Sequence, residues 1–229
     1  MIVRLLAIDT ATSAITAAVC DQSTTLAEVA VIDARRHTEA LAPAVADVLQ
    51  RSRIEARDLT HIAVGIGPGP FTGLRVGIVT AVTVGYALGI PVHGVCSLDA
   101  LAQAYADAHP EPADVVVATD ARRTEVYWAR YAVSAGFAVR RSEPSVGRPA
   151  ELPAEVRALP AIGRGAVLYP ELLPNAALPL DVSAATLGAV AIRHLLAGDP
   201  IPPTPLYLRR PDAHEPGTPK SALADGGTS

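Results

Sequence analysis

Unbroken apolar runs that stop at short polar tips alternate along this chain with segments whose apolar residues recur at helical spacing. The opening run Leu5-Leu6-Ala7-Ile8-Asp9-Thr10 ends at a polar tip, Ala11 to Ala14, and Ile15 to Cys20 returns from it. That pattern predicts strand, turn and strand, with a third strand from Thr25 to Ile32. Between Thr38 and Arg51, Leu41, Val45, Val48 and Leu49 share one side of an amphipathic helix, with Pro43 tolerated in its first turns. A short apolar strand, Ile62-Ala63-Val64, then runs into a Gly-Pro-rich loop and a segment without charge from Val76 to Val92. Small residues stand at every fourth position there: Gly73, Gly77, Ala81, Gly85 and Gly89. With Thr72 as N-cap and Gly89-Ile90-Pro91 as the stop, the segment reads as a helix, since a strand of that length would be unusual. Small residues four apart leave a shallow groove that accepts a neighbouring helix at close approach, crossing near about −50°. The expectation is a helix that presses its backbone against another helix.

A strand from Val92 to Val95 and a helix from about Ser97 to Ala108 follow, and His109-Pro110-Glu111-Pro112 is the clearest internal break. It divides the chain into a first lobe, 1–108, and a second, 109–210. Beyond it the opening pattern repeats: Asp114 to Asp120, a polar tip at Ala121-Arg122-Arg123-Thr124, then Glu125 to Tyr131. Two hairpins of one design, each with an apolar run ending at Asp, suggest a duplicated architecture. Ala161 to Tyr169 reads as a strand and turn, and Ser183 to Ala197 as a helix capped by Ser183 and closed by Gly198. Seven prolines from Pro200 onward predict extended chain, and residues 211–229 a disordered tail.

Composition narrows the possible partners. The chain has 229 residues, 50% apolar and only 4% aromatic, so its core must be built mainly from Ala, Val and Leu. A net charge of −4 argues against holding nucleic acid alone, because phosphate neutralisation dominates that affinity. Any nucleic-acid role requires a partner. Cys20 and Cys96 form no metal or disulfide pattern and read as small buried residues. No secretory signal is visible, so the expected location is cytoplasmic. The G-x-x-x-G segment falls short of a membrane span before Gly89 and Pro91 and is read as a buried helix.

Several strings together resemble the TsaB (YeaZ) family. They are the Ile8-Asp9-Thr10 hairpin, His37-Thr38-Glu39, Gly67-Pro68-Gly69-Pro70-Phe71-Thr72-Gly73-Leu74-Arg75, Asp120-Ala121-Arg122-Arg123 with Glu125-Val126-Tyr127, and Tyr207-Leu208-Arg209-Arg210. The resemblance implies an α/β chain of actin-like, Hsp70-like ATPase (ASKHA) fold, two lobes each with a mixed sheet flanked by helices. It also implies a non-catalytic scaffold for TsaD, which transfers threonylcarbamoyl to an adenosine next to the tRNA anticodon, with the small ATPase TsaE joining them. On that resemblance tRNA is met only through the complex, and the chain pairs with itself when alone. Its partner face would comprise Leu41, Val45, Val48, Leu49, Gly73, Gly77, Ala81 and Gly85, joining the matching helices of TsaD in a small bundle.

Such a fold usually binds ATP between its lobes, so an ATP-dependent enzyme is the first alternative. Neither polar tip holds the glycine that lets backbone N–H groups approach phosphates, and Arg122 and Arg123 are bulky there. Arginines also bind anions, so weak ATP or ADP binding stays open, with Asp9, Thr10, Arg75, Asp120 and Arg122 as its candidate residues. Asp9 and Asp120 are either turn caps or ligands of a hydrated magnesium ion. Gly163 and Gly165 are either an ordinary turn or the remnant of an adenosine-binding turn. The Gly-Pro loop matches no phosphate-cradle pattern, and Pro68 and Pro70 remove donors, so it reads as a rigid turn aiming the helix. A peptidase is less supported: Gly94-Val95-Cys96-Ser97-Leu98 lacks the closing glycine of a nucleophile elbow. The six histidines form no zinc-binding pair, and His37-Thr38-Glu39 lacks the downstream P-C-x-x-C of a deaminase. No cofactor and no metal are expected.

Overall fold

The computed structural model describes residues 3–33 and 37–209, so the expected tail, 211–229, lies outside the described residues. The first sheet grows from β1 (Arg4–Asp9), whose antiparallel neighbour β2 (Ala14–Asp21) pairs in turn with β3 (Thr25–Ile32). On the other side of β1, β4 (His61–Gly67) and β5 (Val92–Cys96) run parallel, giving the order β3-β2-β1-β4-β5. Parallel neighbours need crossovers, and the helices supply them. These are α1 (His37–Ser52) between β3 and β4, and α2 (Phe71–Leu88) between β4 and β5.

After α3 (Ser97–Ala108) the plan repeats in a second sheet. There β6 (Ala113–Asp120) pairs antiparallel with β7 (Val126–Ser134), and β7 with β8 (Phe137–Arg140) and β9 (Ser145–Gly147). Past the one-turn α4 (Ala154–Arg157), β10 (Ala161–Ile162) lies parallel to β6. The short α5 (Arg164–Leu168) leads to β11 (Ala176–Ala177), which is parallel to β10, and α6 (Ala184–Ala197) follows. Read outward from the same hairpin, β8-β7-β6-β10-β11 reproduces β3-β2-β1-β4-β5. The duplication expected from the two Asp-terminated hairpins is therefore present in both sheets.

Alternation along β1 divides the interior into layers. Leu6 and Ile8 face α1 and α2, in a cluster with Leu41, Val48, Leu74 and Ala81. Leu5 and Ala7 face the opposite way, into a core with Leu98, Leu101, Leu187 and Ala191 that continues to Val115, Val117 and Tyr131 of the second sheet. Both faces of β1 are covered, as its unbroken apolar run requires. α3 and α6 thus lie between the two sheets and join the lobes through one apolar core.

Two local expectations change. α2 begins at Phe71 with Pro70 in the N-cap position, so Thr72 sits exposed in the first turn and caps nothing. The fixed φ of Pro70 prepares the helix start without a side-chain cap. From Ala161 to Tyr169 only two residues are strand, and α5 replaces the expected turn. Ser183 and Gly198 do bound α6: the Ser183 side chain accepts the Thr186 N–H, and Gly198 is left-handed at φ 73°.

Candidate functional site

The tip of the first hairpin is locked to its surroundings. Asp9 is fully buried, with Oδ1 accepting the Ala11 N–H at 2.9 Å and Oδ2 accepting the Ser97 hydroxyl at 2.7 Å. Gly65 permits this, since a Cβ there would overlap the carboxylate. Beside it, the buried Thr10 hydroxyl donates to the Gly73 carbonyl at 2.7 Å and accepts the Gly77 N–H at 3.1 Å. It bridges an acceptor and a donor that stand one helical turn apart. A Cβ at Gly77 would collide with that hydroxyl.

This geometry overturns the expected use of the small-residue spine. Gly73, Gly77, Ala81 and Gly85 are all buried and turned toward their own sheet, where Gly85 stands against Val92. Leu41 and Val48 of α1 are buried in the same cluster, with Val45 and Leu49 half-buried against it. The close approach required by the glycines is an approach to β1 and β5. The chain's own sheet occupies that side of the helix.

The opposite side of α2 carries the open surface. Val79 is 60% exposed, Val82 44% and Tyr86 90%, at i, i+3 and i+7, with Phe71 and Arg75 continuing the stripe toward the start of the helix. Among the described residues α2 is also the one helix long and apolar enough, by length and composition alone, to cross a membrane. Its inner side nevertheless packs along the first sheet.

Between the two hairpin tips lies a cavity of about 150 Å³, lined by Thr12, Ser13, Thr119, Asp120, Arg122 and Arg164 among others. Drug-sized ligands occupy pockets of roughly 300–1,000 Å³, so this space is small for a nucleotide. Its charged groups are engaged. Arg164 is held by Asp181 in a two-pronged pair, at 2.8 and 2.6 Å. Asp120 accepts the Arg122 N–H at 2.7 Å and pairs with its guanidinium at 3.2 Å. The second tip is open where the first is sealed. Arg122, Arg123 and Thr124 all take positive φ, near 61°, 52° and 61°, a conformation sparsely used by residues with side chains.

The remaining predicted site residue, Arg75, stacks its guanidinium over the Phe71 ring at 4.1 Å, and Phe71 meets Tyr207 at 5.2 Å. Arg75 stands on the outer surface and does not line the small cavity. Asp9 and Thr10 are equally absent from that lining, so of the five candidate anion-binding residues only Asp120 and Arg122 share it. Among the described residues no group of three or more His, Cys, Asp or Glu is placed to hold a metal ion. Burial pushes the Cys20 thiol up to about 11 and that of Cys96 to about 12, so both stay protonated and unreactive near neutral pH. Ser97, next to Cys96, gives its hydroxyl hydrogen to Asp9.

A family model described as TsaD, tRNA N6-adenosine threonylcarbamoyltransferase, matches residues 26–199. Uncharacterized protein ML0378 of Mycobacterium leprae is 44% identical over 91% of this chain, which spans 55% of that protein. The tRNA threonylcarbamoyladenosine biosynthesis protein TsaB of Escherichia coli is 42% identical over 56% of this chain and 54% of its own length. The solved structure of YeaZ from Pseudomonas aeruginosa superposes with a TM-score of 0.78 at 28% identity, over 90% of this chain and all of the other. The chain belongs to the TsaB (YeaZ) family. With the family comes the two-lobed ASKHA fold that the paired sheets display.

For a TsaB-family chain, the residues that sequence reasoning missed are the outward Phe71, Val79, Val82 and Tyr86, and the contacts of Ser97, Tyr207 and Arg209. The outward set was open to discovery. Once the glycines define one side of a 3.6-residue period, the apolar residues on the other side follow by counting. The Ser97 to Asp9 bond joins residues 88 apart and leaves no local pattern.

Proposed function

We propose that this chain is a scaffold and activating subunit for forming threonylcarbamoyladenosine on tRNA, performing no chemistry of its own. It pairs with a TsaD-type transferase through the outer side of α2, bordered by α1, and TsaE joins the pair. tRNA reaches it only inside that complex. Without the transferase the same side pairs two copies of the chain, and the assembly works in the cytoplasm.

The observation that carries this reading is the outward stripe of Val79, Val82 and Tyr86 on an uncharged stretch of helix. Contiguous exposed apolar surface of this kind marks interaction sites, and each such side chain gains roughly 1.5–3 kcal/mol when fully covered. The engaged state of Asp9 and the small interlobe cavity support a role without ATP chemistry. Membership of the TsaB family supports the pathway.

The test is co-purification with the TsaD-type transferase of the same organism. Val82→Asp combined with Tyr86→Asp should abolish the complex on gel filtration and the tRNA modification with it, while the melting temperature stays near the native one. A complex of native strength from this variant would defeat the proposed interface.

A further inference from the structure

A second cleft, of about 300 Å³, opens where the N-terminal end of α2 meets the second hairpin tip and the chain after Pro205. Among the described residues three arginines line it, Arg122, Arg123 and Arg209, and no carboxylate does. Three rings line it as well, Phe71, Tyr127 and Tyr207, in a chain that is only 4% aromatic. Phe71 and Tyr207 are both partly exposed at the mouth, Phe71 already carrying Arg75 on its ring and Tyr207 leaning on Phe71.

Among the described residues two acids reach these arginines from outside the lining, and Arg123 makes a contact of its own. Asp120 pairs with Arg122 and Glu125 with Arg209, whose Nη1 also donates to the Ala121 carbonyl at 3.1 Å. The Arg122 side chain is 61% exposed and that of Asp120 22%, so the guanidinium end of the pair lies in water, where a phosphate can compete with Asp120 for it. Arg75, stacked on Phe71, extends the positive surface one turn along α2. Within a chain of net charge −4 this is a local concentration of cations beside planar rings. Guanidinium groups that track phosphates beside aromatic platforms for bases are the recurring design of single-stranded nucleic-acid grooves.

We infer that this cleft holds an unpaired nucleotide stretch of the RNA substrate, its phosphates on Arg122 and Arg123 and a base stacked on Tyr207. The inference rests on the scaffold reading above and extends it, from RNA met only through the partner to RNA touched by this chain. The placement fits, because Phe71 belongs both to the cleft and to the outer side of α2. A transferase seated on α2 therefore borders the cleft and can pass RNA across it. A net charge of −4 opposes RNA binding by the free chain, so the contact is expected only inside the complex.

The experiment uses the chain assembled with its transferase and a fluorescent anticodon stem-loop RNA bearing the unmodified adenosine. Gel filtration comes first: failure of the native pair to assemble would sink the scaffold reading itself. With assembly intact, Arg122→Glu combined with Arg123→Glu should weaken RNA binding at least tenfold. It should also flatten the slope of log affinity against log salt by about 0.7 for each phosphate that is no longer neutralised. Tyr207→Ala should weaken binding roughly tenfold with an unchanged salt slope, as expected when a base loses its stacking platform. Arg122→Gln with Arg123→Gln serves if the charge reversal fails to fold. Native RNA affinity in an assembled, folded variant would overturn the inference. So would loss of assembly, which would place the arginines in the partner interface, and so would loss of binding to a fluorescent ATP analogue with RNA affinity kept.

Discussion

The two sides of α2 differ in what their small and apolar residues are for. On the inner side Gly73, Gly77, Ala81 and Gly85 let the helix backbone come within reach of the Thr10 hydroxyl and of Val92. On the outer side Val79, Val82 and Tyr86 stay exposed, and among the described residues nothing buries them. Small residues four apart announce close approach, and the nearest available surface is the sheet that the helix already covers. A large apolar residue left in water is the stronger sign of a partner.

The sharpest way to break that contrast is Gly77→Leu. A side chain there must displace the Thr10 hydroxyl and force the helix off β1, an overpacking of a buried site that typically costs about 1–3 kcal/mol and more where backbone must move. The expected outcome is loss of most folded protein, read by circular dichroism and soluble yield. A stable, folded variant that merely fails to assemble would return the glycine spine to the interface. The outer-side pair Val82→Asp and Tyr86→Asp gives the opposite result, with assembly abolished and folding kept. Together the two variants separate a packing surface from a docking surface on one helix.

Much of this architecture was legible in the chain. Unbroken apolar runs predicted the strands of both hairpins, and the repeated design ending in Asp suggested the duplication that the two sheets carry. Ser183 and Gly198 bounded α6 correctly because caps are local chemistry. What failed was direction. The spacing of Gly77, Ala81 and Gly85 fixes a side of the helix, but not what that side meets, which depends on pairings such as Thr10 to Gly73, 63 residues apart. α5 escaped notice because five residues are too few to show a helical period, and Thr72 misled because Pro70 had already set the helix start.

The two hairpins repeat the contrast on a smaller scale and yield the milder predictions. Asp9→Asn replaces an acceptor of the Ser97 hydroxyl or the Ala11 N–H by an amide donor in a fully buried site. The unmet donors should lower stability by about 1–3 kcal/mol in urea unfolding, and activity should fall only as far as folded protein does. A large loss of tRNA modification with native stability would mean that Asp9 handles a ligand.

Asp120→Asn in the second hairpin should do least. The amide oxygen can still accept the Arg122 N–H, and the guanidinium whose pairing it weakens is itself largely in water. The expected cost is about 0–1 kcal/mol, seen as a small or unresolved shift of the urea midpoint. Releasing Arg122 from its acid should also tighten RNA binding by the assembled complex, by up to a few fold. A stability loss as large as that of Asp9→Asn would show that the second tip is as tightly built as the first, and the contrast between a sealed hairpin and an open one would fail.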